Sequence, residues 1–283
     1  VTNLIPEYWD IDGTSLHTLG THLTNLGGDV TGGVDLRGEN LQVPYRPGAF
    51  WVEKTPGQRT LTLAVTVTAA RPDGTQEATD TLRKARFNAN LRAVRRLMWR
   101  DNGAQFALTK RWYEADFTAG TPVATLVSAT AQAEFVDGIE PESDESFACT
   151  FTVDLLLADP YFYGPTVTVT AAGGASATCV NPGDARAVGN NAVLTFVGPL
   201  ANPIVTLDGK TLGIGASIAA GDSVVVDLAA WSLIRTSDGA NLIGTLSRSG
   251  ARALLPIPMG ASSLACSAAG AGHVTLSFKP PYL

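Results

Sequence analysis

This chain is short of the residues from which reactions and metal sites are made. Its 283 residues include three cysteines and three histidines, and only 16% are charged. Cys149, Cys179 and Cys266 are odd in number and widely spaced. That indicates neither a disulfide framework nor a zinc site and predicts buried, reduced thiols. His17 and His22 do not share a helical face, and no neighbouring carboxylate or thiol completes a ligand set around them or around His273. No G-x-S-x-G, H-E-x-x-H, Walker or G-x-G-x-x-G pattern occurs. The glycine-rich "GIGAS" (213–217) lies among strand-like segments, away from the helix N-terminus that phosphate binding uses. No catalytic residue, cofactor-binding residue or metal ligand is assigned, and no enzymatic activity is expected. No apolar run reaches the length of a membrane-spanning helix, and "VTNLIPEYWDIDG" has no basic start followed by an apolar stretch. A membrane is therefore not an expected partner.

The net charge is −6, which disfavours binding to nucleic acid or anionic lipid through bulk electrostatics. Five lysines stand against fifteen arginines, a ratio that GC-rich coding produces. What the chain has in quantity is apolar material, at 45%, enough for a large core or two smaller ones.

That material is arranged mostly for strands. "RTLTLAVTVTAA" puts Leu61, Leu63, Val65 and Val67 on one face and Thr62, Ala64, Thr66 and Thr68 on the other. "SFACTFTVDLLLADP" repeats the pattern with Phe147, Cys149, Phe151, Val153 and Leu155. The segments 105–115 and 124–136 read as further strands. A single helix is expected at about 79–100, with Phe87, Leu91, Val94 and Met98 as its apolar stripe. Thr79 or Asp80 can cap its start and Asn102-Gly103 its end. The glycine-rich segment 12–58 either hides short strands or is an arm that orders against a neighbour.

"ADPYFYGP" (158–165) marks a boundary, where Tyr161, Phe162 and Tyr163 are expected to pack a domain junction. Past it, short apolar runs are cut by turns. "VGPLANPIVTLDGKTLGIGASIAAGDSVVVDL" (197–228) contains Asn202-Pro203, Asp208-Gly209 and Gly221-Asp222, and Asp238-Gly239 follows. Asp-Gly supplies the positive φ angles of a two-residue hairpin turn. The fold class is therefore mainly β. An α+β N-terminal domain (1–160) carries one packed helix, and a C-terminal β-sandwich (165–283) has the galectin or carbohydrate-binding-module plan.

Two charged clusters remain. Asp137, Glu140, Glu142, Asp144 and Glu145 lack the spacing of a calcium loop and read as a solvated hairpin tip. Arg83, Arg86, Arg92, Arg95, Arg96 and Arg100, with Lys84, form a solvated helix face or one that docks on an acidic neighbour. Without interleaved aromatics, nucleic acid is the weaker reading.

From "FTVDLLLADPYFYGP" onward the sequence resembles the distal tail protein (Dit) family of long-tailed phages. "NPGDARAVGNNAVLTFVGPLANPIVTL" is similar to the family's entry into its C-terminal sandwich, and "AAGDSVVVDL" and "SDGANLIG" follow in order. The early "IDG", the "PYRPG" turn and the strand–helix–strand order with an arginine-rich helix fit the N-terminal half. The resemblance implies a structural virion protein at the tail tip, assembled in the host cytoplasm as a homohexameric ring. Its partners would be further copies of itself, the tail tube protein, a lysin-like tail-tip hub and the tape-measure protein, with DNA only as passing cargo. No cofactor is implied. Larger members carry sugar-binding inserts, for which this chain has no spare length. Contacts are expected in 31–58 and on the helix, at Tyr45, Arg46, Trp51, Arg92, Arg96 and Arg100. The alternative is a β-sandwich that binds carbohydrate or a receptor. That reading needs an aromatic cleft in 165–283, where Trp231 is the only tryptophan.

Overall fold

The computed structural model describes residues 7–16, 21–25, 36–37, 41–42, 49–50, 55–71, 73–98, 104–115, 123–136, 141–144, 147–187, 192–248 and 255–283. The fold is mainly β, built as two compact units, Val1–Phe162 and Tyr163–Tyr282.

The first unit begins with β1 (Glu7–Ile11), β2 (Thr14–Ser15) and β3 (Thr21–Asn25). Two short pairs follow. β4 (Leu36–Arg37) pairs with β7 (Thr55–Pro56), and β5 (Leu41–Gln42) with β6 (Ala49–Phe50). The segment 12–58 thus does contain short strands. Then come β8 (Arg59–Thr68), α1 (Asp80–Met98), β9 (Phe106–Ala115), β10 (Ala124–Phe135), β11 (Pro141–Asp144) and β12 (Ala148–Leu157). They form an antiparallel path in the order β2-β1-β9-β10-β12-β8-β3, with β11 paired to β12. Part of the acidic segment read as a hairpin tip is therefore a strand.

The alternation in β8 and β12 decides which side faces the core. Leu61, Leu63, Val65 and Val67 are buried, as are Phe151, Val153 and Leu155 opposite them. On the other face the rungs are polar: Thr62 donates to Asp154 at 2.6 Å, and Thr66 and Thr150 bond hydroxyl to hydroxyl at 2.9 Å. β10 pairs with β9 from Ala124 to Ala133, then with β12 at Glu134 and Phe135, so one long strand serves two groups of strands. Phe106 and Phe135 stack at 4.7 Å, and Phe162 meets Trp9 edge-on at 5.9 Å. Trp9, Phe106 and Phe162 are buried, and each contributes about 1.5–3 kcal/mol of apolar burial, while Phe135 is half-buried.

β13 (Phe162–Tyr163) spans the unit boundary. The second unit then runs β14 (Val167–Ala172), β15 (Ser176–Asn181), β16 (Ala192–Val197), β17 (Ala201–Leu207), β18 (Lys210–Ile214) and β19 (Ser223–Asp227). It continues with β20 (Ser232–Arg235), a 3₁₀ turn (Ile243–Thr245), β21 (Leu246–Arg248), β22 (Gly260–Ala269), β23 (His273–Phe278) and β24 (Pro281–Tyr282). Two five-stranded antiparallel sheets, β14-β23-β16-β19-β20 and β15-β22-β17-β18-β21, make a sandwich. Leu194, Phe196, Leu276 and Phe278 from one sheet and Val205, Leu207, Leu264 and Cys266 from the other share one core.

The turns follow the local chemistry. Asp208 and Gly209 take φ of 48° and 70°, and Leu207 pairs with Lys210 across them, the tight hairpin that Asp-Gly predicts. Asn181, almost wholly buried, accepts from Gly183 N at 3.0 Å and donates to Ala185 O at 2.9 Å, fixing the start of "NPGDARAV".

Candidate assembly surface

α1 is the one α-helix among the described residues. Thr79 starts it by accepting from Leu82 N at 3.3 Å through its hydroxyl, and its carbonyl takes the first helical hydrogen bond from Arg83 N at 2.8 Å. Phe87, Asn90, Val94 and Met98 are buried against the sheet. This corrects the expected stripe: Leu91 is half-buried, and Asn90 takes the inner position. The Asn90 amide nitrogen donates to Thr68 O at 2.9 Å and Ala70 O at 2.8 Å, two carbonyls at the end of β8. A polar residue at a core position of the stripe was not legible as such, because its partners are twenty and more residues away.

The arginine cluster divides in two. At the N-terminal end Glu77, buried just before the helix, gathers Arg71 and Arg86. Arg71 Nε donates to it at 2.9 Å, and Arg86 donates through Nε at 3.1 Å and its terminal nitrogen at 3.0 Å. These hydrogen bonds, Arg71 first and Arg86 next, lower the Glu77 pKa to about 2. Arg83 donates to Glu77 O at 2.9 Å and pairs with Asp80 at 3.2 Å, and Lys84 lies over the Phe87 ring. Glu77 was not singled out in the sequence. No spacing rule links it to cations on both sides of a turn.

Farther along α1, Arg92, Arg95 and Arg96 are exposed. Among the described residues none of the three has an ion-pair partner. Arg92 and Arg96, two of the six expected contact residues, thus share one solvent-facing surface with Arg95. Tyr45, Arg46, Trp51 and Arg100 lie outside the described residues, as does the Asn102-Gly103 cap.

Three carboxylates of the second unit are engaged in turns. Asp222 accepts from Ser223 N at 2.7 Å and Ser237 Oγ at 3.0 Å. Asp227 accepts from Ala229 N and Ala230 N. Asp238 accepts from Ala240 N at 2.9 Å, and that bond chiefly holds its pKa below the ordinary carboxylate value. Trp231 sits in the β19–β20 turn at φ 52°, half-buried against the sandwich core. Among the described residues no three His, Cys, Asp or Glu side chains group as a metal site. A hollow of about 480 Å³ at the β8 end is lined by Thr68, Gln76, Arg83 and Phe147 among others; its one charged lining residue, Arg83, is already paired. Among the described residues no helix is long and apolar enough to cross a membrane.

These features sit on a recognisable chain path. The structure is similar to the crystal structure of the phage SPP1 Dit protein, described as a paradigm of the hub adsorption apparatus in phages infecting Gram-positive bacteria. The TM-score is 0.60 at 15% identity, over 96% of this chain and 98% of that one. The fold is Dit-like. No protein-family model matches the sequence, and no curated protein matches it. The likeness shown is one of fold, over 96% of this chain.

Proposed function

We propose that this chain is a structural virion protein of a long-tailed phage, a distal tail protein at the tail tip. Its copies close into a ring, a homohexamer, that joins the tail tube to the hub used in host adsorption. The carrying observation is the Dit-like fold over nearly the full length of both chains. The first unit forms the ring and the second faces outward. The tube protein, a lysin-like hub and the tape-measure protein are the neighbours, and DNA passes through without specific contacts. Ring and partner contacts are assigned to Tyr45, Arg46, Trp51, Arg92, Arg96 and Arg100. A ring subunit works by holding edges and loops in register, which agrees with turn-bound carboxylates in the sandwich.

The test is the native mass in solution by light scattering on a sizing column, with negative-stain images of the same fractions. A discrete hexameric ring supports the proposal. A monomer at high concentration that binds components of a glycan array overturns it in favour of a carbohydrate-binding tail protein.

A further inference from the structure

Charge in this chain is segregated by element. α1 carries Arg83, Lys84, Arg86, Arg92, Arg95 and Arg96 against one acid, Asp80. Between Arg111 and Arg186 the sequence has no lysine, arginine or histidine. That cation-free stretch supplies β10, β11 and β12. Within it β11 is two-fourths acidic in sequence, with Glu142 and Asp144, and among the described strands it pairs only with β12. Among the described residues β11 is thus an edge strand of the sheet, and two of its four residues are acids.

An acidic edge repels the same edge of another copy, which blocks edge-to-edge pairing. It attracts a basic face. The one solvent-facing cationic cluster without ion-pair partners among the described residues is Arg92, Arg95 and Arg96. Joining two different patches on identical chains gives a head-to-tail contact, the kind that closes a ring, whereas a patch that meets itself stops at a dimer.

We infer that the Arg92–Arg95–Arg96 face of α1 docks on the acidic β11 edge of a second copy of this chain, as a repeated head-to-tail contact. The inference rests on the ring reading and names the surfaces that ring uses. Single exposed ion pairs contribute little, so the contact acts as a cluster that sets register and direction. It weakens with salt, since screening acts over about 8 Å at physiological ionic strength.

The test is a charge swap read by light scattering, with far-UV circular dichroism as the folding control. R92E/R95E/R96E reverses the helix face, and E142K/D144K reverses the edge on a separate element. Each variant alone is expected to weaken assembly at least about tenfold, as like charges replace opposite ones. Mixed one to one, the two variants are expected to reassemble in alternation, because the reversed helix face then meets the reversed edge and the native helix face meets the native edge, opposite signs at both contacts. If the wild type assembles and neither variant weakens it, the contact lies elsewhere and the ring reading stands. A wild type that stays monomeric at every salt concentration overturns the inferred contact, and it overturns the ring reading as well if the monomer binds components of a glycan array. If the two swaps rescue each other only when combined in one chain, the pairing is internal and the inference falls. It also falls if the helix variant's main loss is salt-sensitive binding to a DNA duplex. Should the reversed helix fail to fold, R92Q/R95Q/R96Q and the β11 variant carry the test.

Discussion

Asn90 on α1 donates its side-chain amide to the main-chain carbonyl of Thr68 at 2.9 Å, and to that of Ala70 as well. The helix is thereby pinned to the end of β8, where the strand ladder runs out. Asn90→Ala leaves both carbonyls without this donor and costs about 2 kcal/mol. Urea denaturation followed by circular dichroism of the first unit's transition checks this. An unchanged midpoint contradicts the pin.

The Glu77 carboxylate gives a pH signature. Its pKa in the folded chain is about 2, below its ordinary 4.5. Because the folded value is depressed, its contribution to stability is whole above pH 4.5 and is lost as pH falls toward 2. Thermal melts between pH 5 and pH 2 are expected to show a steeper decline in the wild type than in Glu77→Gln, which cannot ionise.

Two glycines separate backbone strain from steric exclusion. Gly209 has φ 70° with open space where a Cβ would go, whereas a Cβ on Gly198 would lie 1.9 Å from Ala219 O. Gly209→Ala is expected to cost about 1 kcal/mol for its left-handed conformation. Gly198→Ala is expected to cost more, since two backbone segments must part. The second unit's unfolding midpoint ranks them, and the reverse order contradicts the packing described.

The thiols give a simple probe of both cores. Cys149, Cys179 and Cys266 are free and buried, and burial raises the thiol pKa of Cys179 and Cys266. An aromatic disulfide reagent at pH 8 is expected to label all three in denaturant and to react at least about a hundredfold more slowly with the folded chain. Rapid labelling of the native protein contradicts the burial.

The elements readable in the sequence were those whose signal is local. β8 and β12 declare themselves through strict alternation, α1 through its apolar stripe and capping threonine, and β17–β18 through Asp208-Gly209. The helix still carried a misreading: periodicity placed Leu91 inward, and the hydrogen-bonding needs of the β8 terminus placed Asn90 there. β11 was hidden because a run of acids has no strand periodicity, and its strand state comes from pairing with β12. The Arg111–Asp10 pair and the Thr62–Asp154 bond join residues far apart in the chain and have no local signature.

By itself, then, the sequence determined the alternating strands β8 and β12, the Asp208-Gly209 hairpin, the helix α1, the lack of recognisable catalytic motifs and the crowding of cations into that helix. Those properties depend on neighbours a few positions away, through alternation, capping and turn dihedrals. The tertiary structure alone decided which cations remain available. Glu77 draws in Arg71 and Arg86, Asp80 holds Arg83, and Arg92, Arg95 and Arg96 are left facing solvent without ion-pair partners among the described residues. Ion pairing depends on distance in space, and the chain acquires those distances only once the sheet and helix have packed.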